Sequence, residues 1–502
     1  MALVYALRWD WLIRCHRIEK TSVLNTLTVL LLLPLSGALL VGLIPRRFER
    51  WIRSIALATS AIAVFVAIDV LRRFDPSTGN LPILEPLLGQ YYALGVDGLS
   101  LPMVLLAVGL CLVALLASTT IQEQIKSYYL SMLLLESAIL GVFLTQDWLF
   151  FYICWELTIL PLFFLINRWG GKRRLQAALN FILYTMGGSV FMLIALLIAF
   201  DKAGVHTFTM QDMTQGLHAL PREIQIPIFL GLLVGFGVKM PIFPLHGWIS
   251  LAHVEAPSPV SILLSGILLK MGSYGLLRAS AMLPQALVAM QDVLAALALI
   301  GMLYGGLLAW RQSDLKAMVA YSSVSHMGVV LLGIATLKEA GVTGAVLQMV
   351  AHGIVAGSLF LLLGSLYHHT HTREVSQYGG LMQTTPRFAL LTTLAFAGAV
   401  GIPGTSGFIA ELHALVGVFE RWGWLALLLS AGMMISAVYA VRTVGRLFTG
   451  PLRVGMEAVP DLRHHELLAA GLLAAAITVL GVSPYPLLQL VIPYTLHFLD
   501  QF

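Results

Sequence analysis

Seven ionisable residues stand inside stretches that are otherwise apolar. They are Glu136 in LLLESAIL, Glu156 in YICWELTIL, Lys239 in GFGVKMP, Lys270 in GILLKMGSY, His326 in SSVSHMGVV, His352 in QMVAHGIVAGS and Glu411 in TSGFIAELHAL. A charge at the centre of a bilayer costs at least a few kcal/mol and persists there only beside a partner or a hydrated cavity. A single such residue reads as half of a structural ion pair or as a satisfied core histidine. A series of carboxylates, amines and imidazoles reads differently, because burial and neighbouring charge bring such groups into the range where protons exchange near neutral pH. Spread across a helix bundle, the set describes a proton relay.

The elements that must hold these residues follow from composition. Of 502 residues, 58% are hydrophobic and 11% charged, against about 25% charged in soluble domains. Apolar runs of roughly 20 residues, the length that crosses about 30 Å of hydrocarbon, recur along the chain. About 14 spans are expected, near 27–44, 54–71, 99–117, 128–145, 148–167, 176–200, 226–244, 254–277, 287–309, 317–336, 343–367, 387–414, 422–447 and 466–490. The fold class is therefore an all-α polytopic membrane protein. The longest polar joints, around 73–90, 202–222 and 449–465, are too short to bury a core of their own, so residues 25–502 form a single transmembrane domain. Residues 1–24 carry Arg8, Arg14, Arg17 and Lys20 among Trp9, Trp11, Leu12 and Ile13 without a signal-peptide pattern. They read either as an interfacial amphipathic extension or as residues upstream of the true start.

Several chemistries are disfavoured. Cys15, Cys111 and Cys154 have no paired spacing, so neither a disulfide framework nor an iron–sulfur or metal site is supported. No phosphate-binding glycine loop is recognisable. The formal net charge of +5 resides mainly in joints between spans and does not imply nucleic-acid binding. Basic residues concentrate in the first joint (Arg46, Arg47, Arg50, Arg53), the fifth (Arg168, Lys172, Arg173, Arg174), the ninth (Arg311, Lys316) and the thirteenth (Arg446, Arg453, Arg463). All are odd-numbered and share one face, which the positive-inside rule assigns to the cytoplasm or its plastid equivalent. Arg72, Arg73 and the basic N-terminal extension run against that assignment.

Two spans carry helix breakers beside their charges. Pro241 and Pro244 each remove a backbone donor, and Gly235 and Gly237 loosen the chain just before Lys239. The twelfth span repeats the pattern in GAVGIPGTSGFIAEL, with Pro403 among glycines and Glu411 following. Helices 7 and 12 are expected to be broken, their freed carbonyls covered by protein or facing water. Breaks five spans apart suggest two five-helix repeats, about 128–277 and 287–447, of inverted topology. Paired interrupted helices of this kind mark ion sites in transporter folds.

Several segments resemble one family, the antiporter-like membrane subunits of complex I and of multisubunit cation/proton antiporters. FFYICWELTILPLFFLINRWGG is similar to the family's fifth span, and GFGVKMPIFPLHGWISLAHVEAPSPVSILLSGILLKMGSYGLLR to its seventh and eighth. LKAMVAYSSVSHMG, MVAHGIVAGSLFLLLG and GIPGTSGFIAEL extend the resemblance over roughly residues 25 to 490. A glutamate after the broken twelfth helix, here Glu411, is typical of subunit 4, whereas subunits 2 and 5 usually carry lysine there. RWGGKRRLQAALNFILYTMGGSVFML resembles the cyanobacterial and chloroplast form, found in the photosynthetic NDH-1 complex of thylakoids.

The resemblance implies roles for the buried groups. Glu156 and Lys239 match the coupled ion pair of the fifth and seventh spans, Lys270 the central relay lysine, His326 and His352 the bridge toward the second half, and Glu411 the terminal group. Glu136 aligns with no assigned position. The resemblance further implies no cofactor in this chain, with quinone and iron–sulfur clusters in partner subunits. The expected neighbours are subunit 5-like and subunit 2-like chains, small membrane subunits and lipid. His246, His253 and Glu255 in HGWISLAHVEAPSPVS could suggest a metal site, but the resemblance makes this stretch the linker into the eighth helix at a membrane face. The same features also fit a sodium/proton antiporter subunit, and a structural membrane spacer is a third reading.

Overall fold

The computed structural model describes residues 26–76 and 93–502, together with the backbone of 80–81. The N-terminal segment 1–24 and most of the joint at 73–90 lie outside the described residues.

Helix ends follow local sequence. Asp147 begins α5 (Trp148–Leu157) by accepting the Phe150 amide at 2.8 Å. Asp314 does the same for α14 (Leu315–Ala335), accepting the amides of Lys316 and Ala317. Pro284 opens α13 (Pro284–Arg311) and Pro386 opens α16 (Pro386–Val400), where a missing N–H costs nothing. The fifth span divides because Pro161 cannot donate to the preceding turn. The chain therefore kinks at Thr158 between α5 and α6 (Ile159–Trp169).

Among the described residues, twelve helices are long and apolar enough to cross a membrane. The expected figure of about 14 is not reached by this measure, and the physical reason is interruption. The seventh span is α9 (Arg222–Lys239), a nine-residue break, then α10 (Ile249–Glu255). The twelfth is α16, a break at 401–405, then α17 (Ser406–Trp422). The expected span 466–490 is also corrected. α19 (His464–Val482) ends, Pro484 intervenes, and α20 (Tyr485–Leu499) restarts, since a proline has no amide to continue the ladder.

The remaining elements are α1 (Thr26–Leu43), α2 (Glu49–Arg73), α3 (Ser100–Ala117), α4 (Ile125–Leu144), α7 (Arg174–Ala203), the short α8 (Met210–His218), α11 (Ser258–Leu263), one π turn (Leu264–Leu268), α12 (Leu269–Met282), α15 (Glu339–Thr370) and α18 (Leu425–Phe448). A two-residue ladder pairs 80–81 with Val96–Asp97.

The continuous α11–α12 span, α14 and α15 occupy the interior, whereas α1, α2, α7, α18 and α19 leave wide apolar faces outward. A helix hydrophobic all round is a buried one in this setting. The joints segregate into two layers. On one face Arg53 reaches the carbonyls of Thr119 and Ile121, Arg168 reaches Gln124, and the Leu315 amide reaches the Arg373 carbonyl. On the other, Trp148 bonds Phe208, Gln225 gathers the end of α8, and Arg421 bonds Gln291. The first layer holds all four basic joints, as the alternation of charge requires.

Candidate functional site

The two breaks are built alike. Pro241 leaves the Gly237 carbonyl without its helical donor, and the Ile242 amide takes it at 2.8 Å across a widened turn. At the second break the Ile402 amide also reaches five residues back, to the Ala397 carbonyl at 3.0 Å, which it shares with the Gly401 amide. The Val238 carbonyl, freed next to Lys239, is capped by the Trp248 indole at 2.8 Å. Protein groups thus satisfy the backbone that lipid could not. Lys239 is the last residue of α9, at the partially negative end of a half-helix, which favours a cation.

Lys239 is 1% exposed and donates to Thr158 Oγ1 at 2.9 Å, with its ammonium 3.9 Å above the Trp155 ring. Glu156 is close enough to act on it electrostatically. The expected ion pair is nevertheless not closed, because Thr158 occupies the lysine and Glu156 Oε1 is buried without a partner.

Lys270 lies at the middle of the α11–α12 span and immediately after the π turn. The widened turn leaves the Ser265 carbonyl to accept from Lys270 Nζ at 2.7 Å, and the same ammonium lies 2.6 Å from His352 Nδ1. Gly272 lets α12 press on the end of α9. A Cβ there would come within 2.6 Å of the Phe236 carbonyl and 2.7 Å of the Met240 amide.

From His352 the sequence of contacts continues. The His352 and His326 rings are 5.3 Å apart, Gln348 lies 3.2 Å from His326 Nδ1, and that nitrogen is 3.8 Å from Glu411 Oε1. Glu411 is 3% exposed and sits in the second turn of α17. Gly401, at φ +70°, makes room for it, since a Cβ at that position would overlap Glu411 Oε2. Lys270, His352, His326 and Glu411 are thus brought together as a row through the buried core. Glu156 and Lys239 adjoin the row without a direct contact to it.

Glu136 is not part of this constellation. Its Oε1 accepts from Ser60 at 3.0 Å, between α4 and α2. Pro241, Pro244 and Pro403 all lie in the breaks, as expected.

Three residues of the site were missed by sequence reasoning. Thr158 holds Lys239, and its signal was Pro161 three residues on. His253 is fully buried, within a linker that meets the basic face, where Glu255 pairs with Arg173. It stacks on Phe360 at 4.7 Å, leaves both ring nitrogens without partners, and lies within electrostatic reach of Lys270 and Lys316. Lys316, read as a loop charge, is 3% exposed and donates to the Ala256 carbonyl at 3.0 Å. It lines a cavity of about 340 Å3 on the basic face with Glu255, Arg373, Glu466 and His368.

A family profile described as NADH:quinone oxidoreductase/Mrp antiporter, TM matches residues 145–436. NADH-quinone oxidoreductase subunit M of Rhodobacter capsulatus is 35% identical, over 95% of this chain and 97% of its own. NAD(P)H-quinone oxidoreductase chain 4 1 of Synechococcus sp. (strain JA-2-3B'a(2-13)) is 38% identical, over 92% of this chain and 89% of its own. Among solved structures, a chain of respiratory complex I from Thermus thermophilus with bound NADH superposes with a TM-score of 0.86 at 31% identity, over 95% of this chain and 99% of that one. A chain of the Mrp complex from Dietzia sp. DQ12-45-1b gives 0.83 at 20% identity, over 94% and 98%, a likeness of fold.

Proposed function

This chain belongs to the NADH:quinone oxidoreductase/Mrp antiporter family of membrane subunits, and we propose on that footing that it moves protons through its buried row of lysine, histidine and glutamate. The chain is a multi-pass membrane protein and a complex I or NDH-1-type subunit of the antiporter-like group. Its own part in catalysis is translocation. Electron transfer to the quinone, plastoquinone in a photosynthetic membrane, takes place in partner subunits that carry the iron–sulfur clusters. The partners are subunit 5-like and subunit 2-like chains and small membrane subunits, and the cyanobacterial relative favours a thylakoid setting.

One observation carries this reading: Lys270, His352, His326 and Glu411 succeed one another through the interior at 2.6 Å, 5.3 Å between rings and 3.8 Å. Lys239 is the switch that feeds the row. It has two partners within reach, Thr158 and Glu156, and differs in charge environment between them. Opposite charges 4 Å apart at an effective dielectric of about 20 interact by roughly 4 kcal/mol, about a thousandfold in proton affinity. Movement of charge in a neighbouring subunit would shift Lys239 between Thr158 and Glu156 and hand its proton on toward Lys270. The two half-domains that carry the breaks act as inverted repeats, with uptake in the first and release in the second. The runner-up, a sodium/proton antiporter subunit, draws on the shared fold and on the family description.

The test is Lys239→Ala in the assembled complex, reconstituted in liposomes. Quinone reduction should continue while the protons moved per electron fall several-fold. Pumping at the normal ratio would reduce this chain to a structural spacer.

A further inference from the structure

Lys270 has a shorter way out of the membrane than the row to Glu411. Lys270, Tyr274 and Arg278 lie four residues apart on one stripe of α12. Eight residues of helix put Arg278 about 12 Å from Lys270 along the axis, toward the face opposite the basic joints. A cavity of about 420 Å3 opens on that face, and Asp97, Arg278 and Tyr494 line it together with Gln146, Gln211 and His497. A proton that reached this cavity from Lys270 would bypass His352, His326 and Glu411.

The inner end of the cavity is closed by a compact cluster. Arg278 is ion-paired with Asp97, and its guanidinium lies 4.9 Å from the Tyr274 ring and 5.7 Å from the Tyr494 ring. Asp97 also accepts the amides of Leu99 at 3.1 Å and Ser100 at 2.8 Å. Burial pushes its carboxyl up, but the guanidinium and these amides outweigh that and hold it below the usual carboxylate range. α20 fixes the outer ring, because the Leu490 carbonyl rests on Gly98, where any Cβ would overlap it, and Thr495 meets Thr343 at 3.3 Å.

We propose that the Asp97–Arg278 pair, clamped between Tyr274 and Tyr494, is an insulating plug that keeps protons on Lys270 from discharging to the face opposite the basic joints. A guanidinium stays protonated and has no acceptor, so it cannot take up an arriving proton and pass it on. The ion pair holds the Asp97 carboxylate on the guanidinium, Tyr274 stands between Lys270 and Arg278 on the same stripe of α12, and the two rings, held by cation–π contact, exclude the water that would carry a proton past. The proposal rests on Lys270 being a proton carrier, as in the function proposed above.

The experiment measures passive proton conductance of liposomes containing the whole complex, without electron donor, under an imposed membrane potential. Asp97→Ala with Arg278→Ala removes both charges together and leaves no lone buried ion. Tyr494→Ala opens the same cluster without touching the pair and serves if the first variant assembles poorly. Each should raise conductance several-fold, and Lys270→Ala in the same background should abolish the rise. Unchanged conductance in Tyr494→Ala and in any assembled double variant overturns the plug, as does a leak that persists without Lys270. Failure of the broader proton-carrier reading has a separate mark, namely Lys270→Ala alone leaving driven pumping intact.

Discussion

At the residue scale, the site is a set of ionisable groups that would be unaffordable in lipid and are sustained by one another and by freed backbone. Glu411 is the clearest case, with one oxygen 3.8 Å from His326 and the other buried without a partner. Among the described residues no lysine or arginine forms an ion pair with it. Glu411→Gln keeps the shape and removes the titration. Such a complex should assemble at near-normal levels and reduce quinone with a clearly lowered proton-to-electron ratio, read from a pH-sensitive dye. An unchanged ratio would remove Glu411 from the path. Most of these residues were legible as isolated charges in apolar runs, because the cost of burying a charge makes each one conspicuous. Thr158 and His253 were not, since a threonine costs little to bury and a neutral histidine resembles any core aromatic.

At the element scale, interruption is what places Lys239 and Glu411 beside freed backbone, while Lys270, His326 and His352 ride on continuous spans. A proline removes one donor, a widened turn re-uses the carbonyl, and the next half-helix begins at a new angle. Gly401 shows how tightly the second break is tied to its carboxylate, by φ and by space alike. Gly401→Ala should destabilise by about 1–2 kcal/mol from the left-handed backbone alone, and it should also displace Glu411. The measurements are the thermal midpoint of the purified complex and its proton-to-electron ratio, and both should fall. Gly445→Ala in α18, where a Cβ would meet nothing within 4 Å, is the control and should change neither. Sequence foresaw the breaks at Pro241, Pro244 and Pro403. It did not foresee the divisions before Pro161 and at Pro484, because the apolar run continues across each proline and hydropathy alone cannot register a lost hydrogen bond.

At the scale of the whole molecule, the buried row lies across the bundle, while the outer helices present apolar faces such as Leu183 and Phe191 on α7 and Leu427 and Val441 on α18. Contiguous apolar surface of this kind is lipid-facing or partner-facing. Affinity purification from native membranes in mild detergent should bring quinone-reductase subunits with this chain. Recovery restricted to antiporter subunits would sink the quinone-reductase reading in favour of the sodium/proton antiporter. The composition could place the chain in a membrane but could not distinguish these two assemblies, since the same breaks and lysines serve both.

What sequence by itself determined is the membrane class, the common face of the basic joints, the interruptions at Pro241, Pro244 and Pro403, and which ionisable groups stand in apolar runs. Each of these follows from a local energetic rule: hydropathy over twenty residues, the cost of a buried charge, the missing amide of proline. What only the tertiary structure decided is who touches whom. Lys239 rests on Thr158 instead of Glu156, Lys270 meets His352 from a helix 82 positions away, Glu136 stands apart beside Ser60, and Lys316 is buried against α10. Those outcomes depend on how separate helices pack, and in a bilayer, where every outer face is equally apolar, no periodicity in the chain records which neighbour a buried side chain will find.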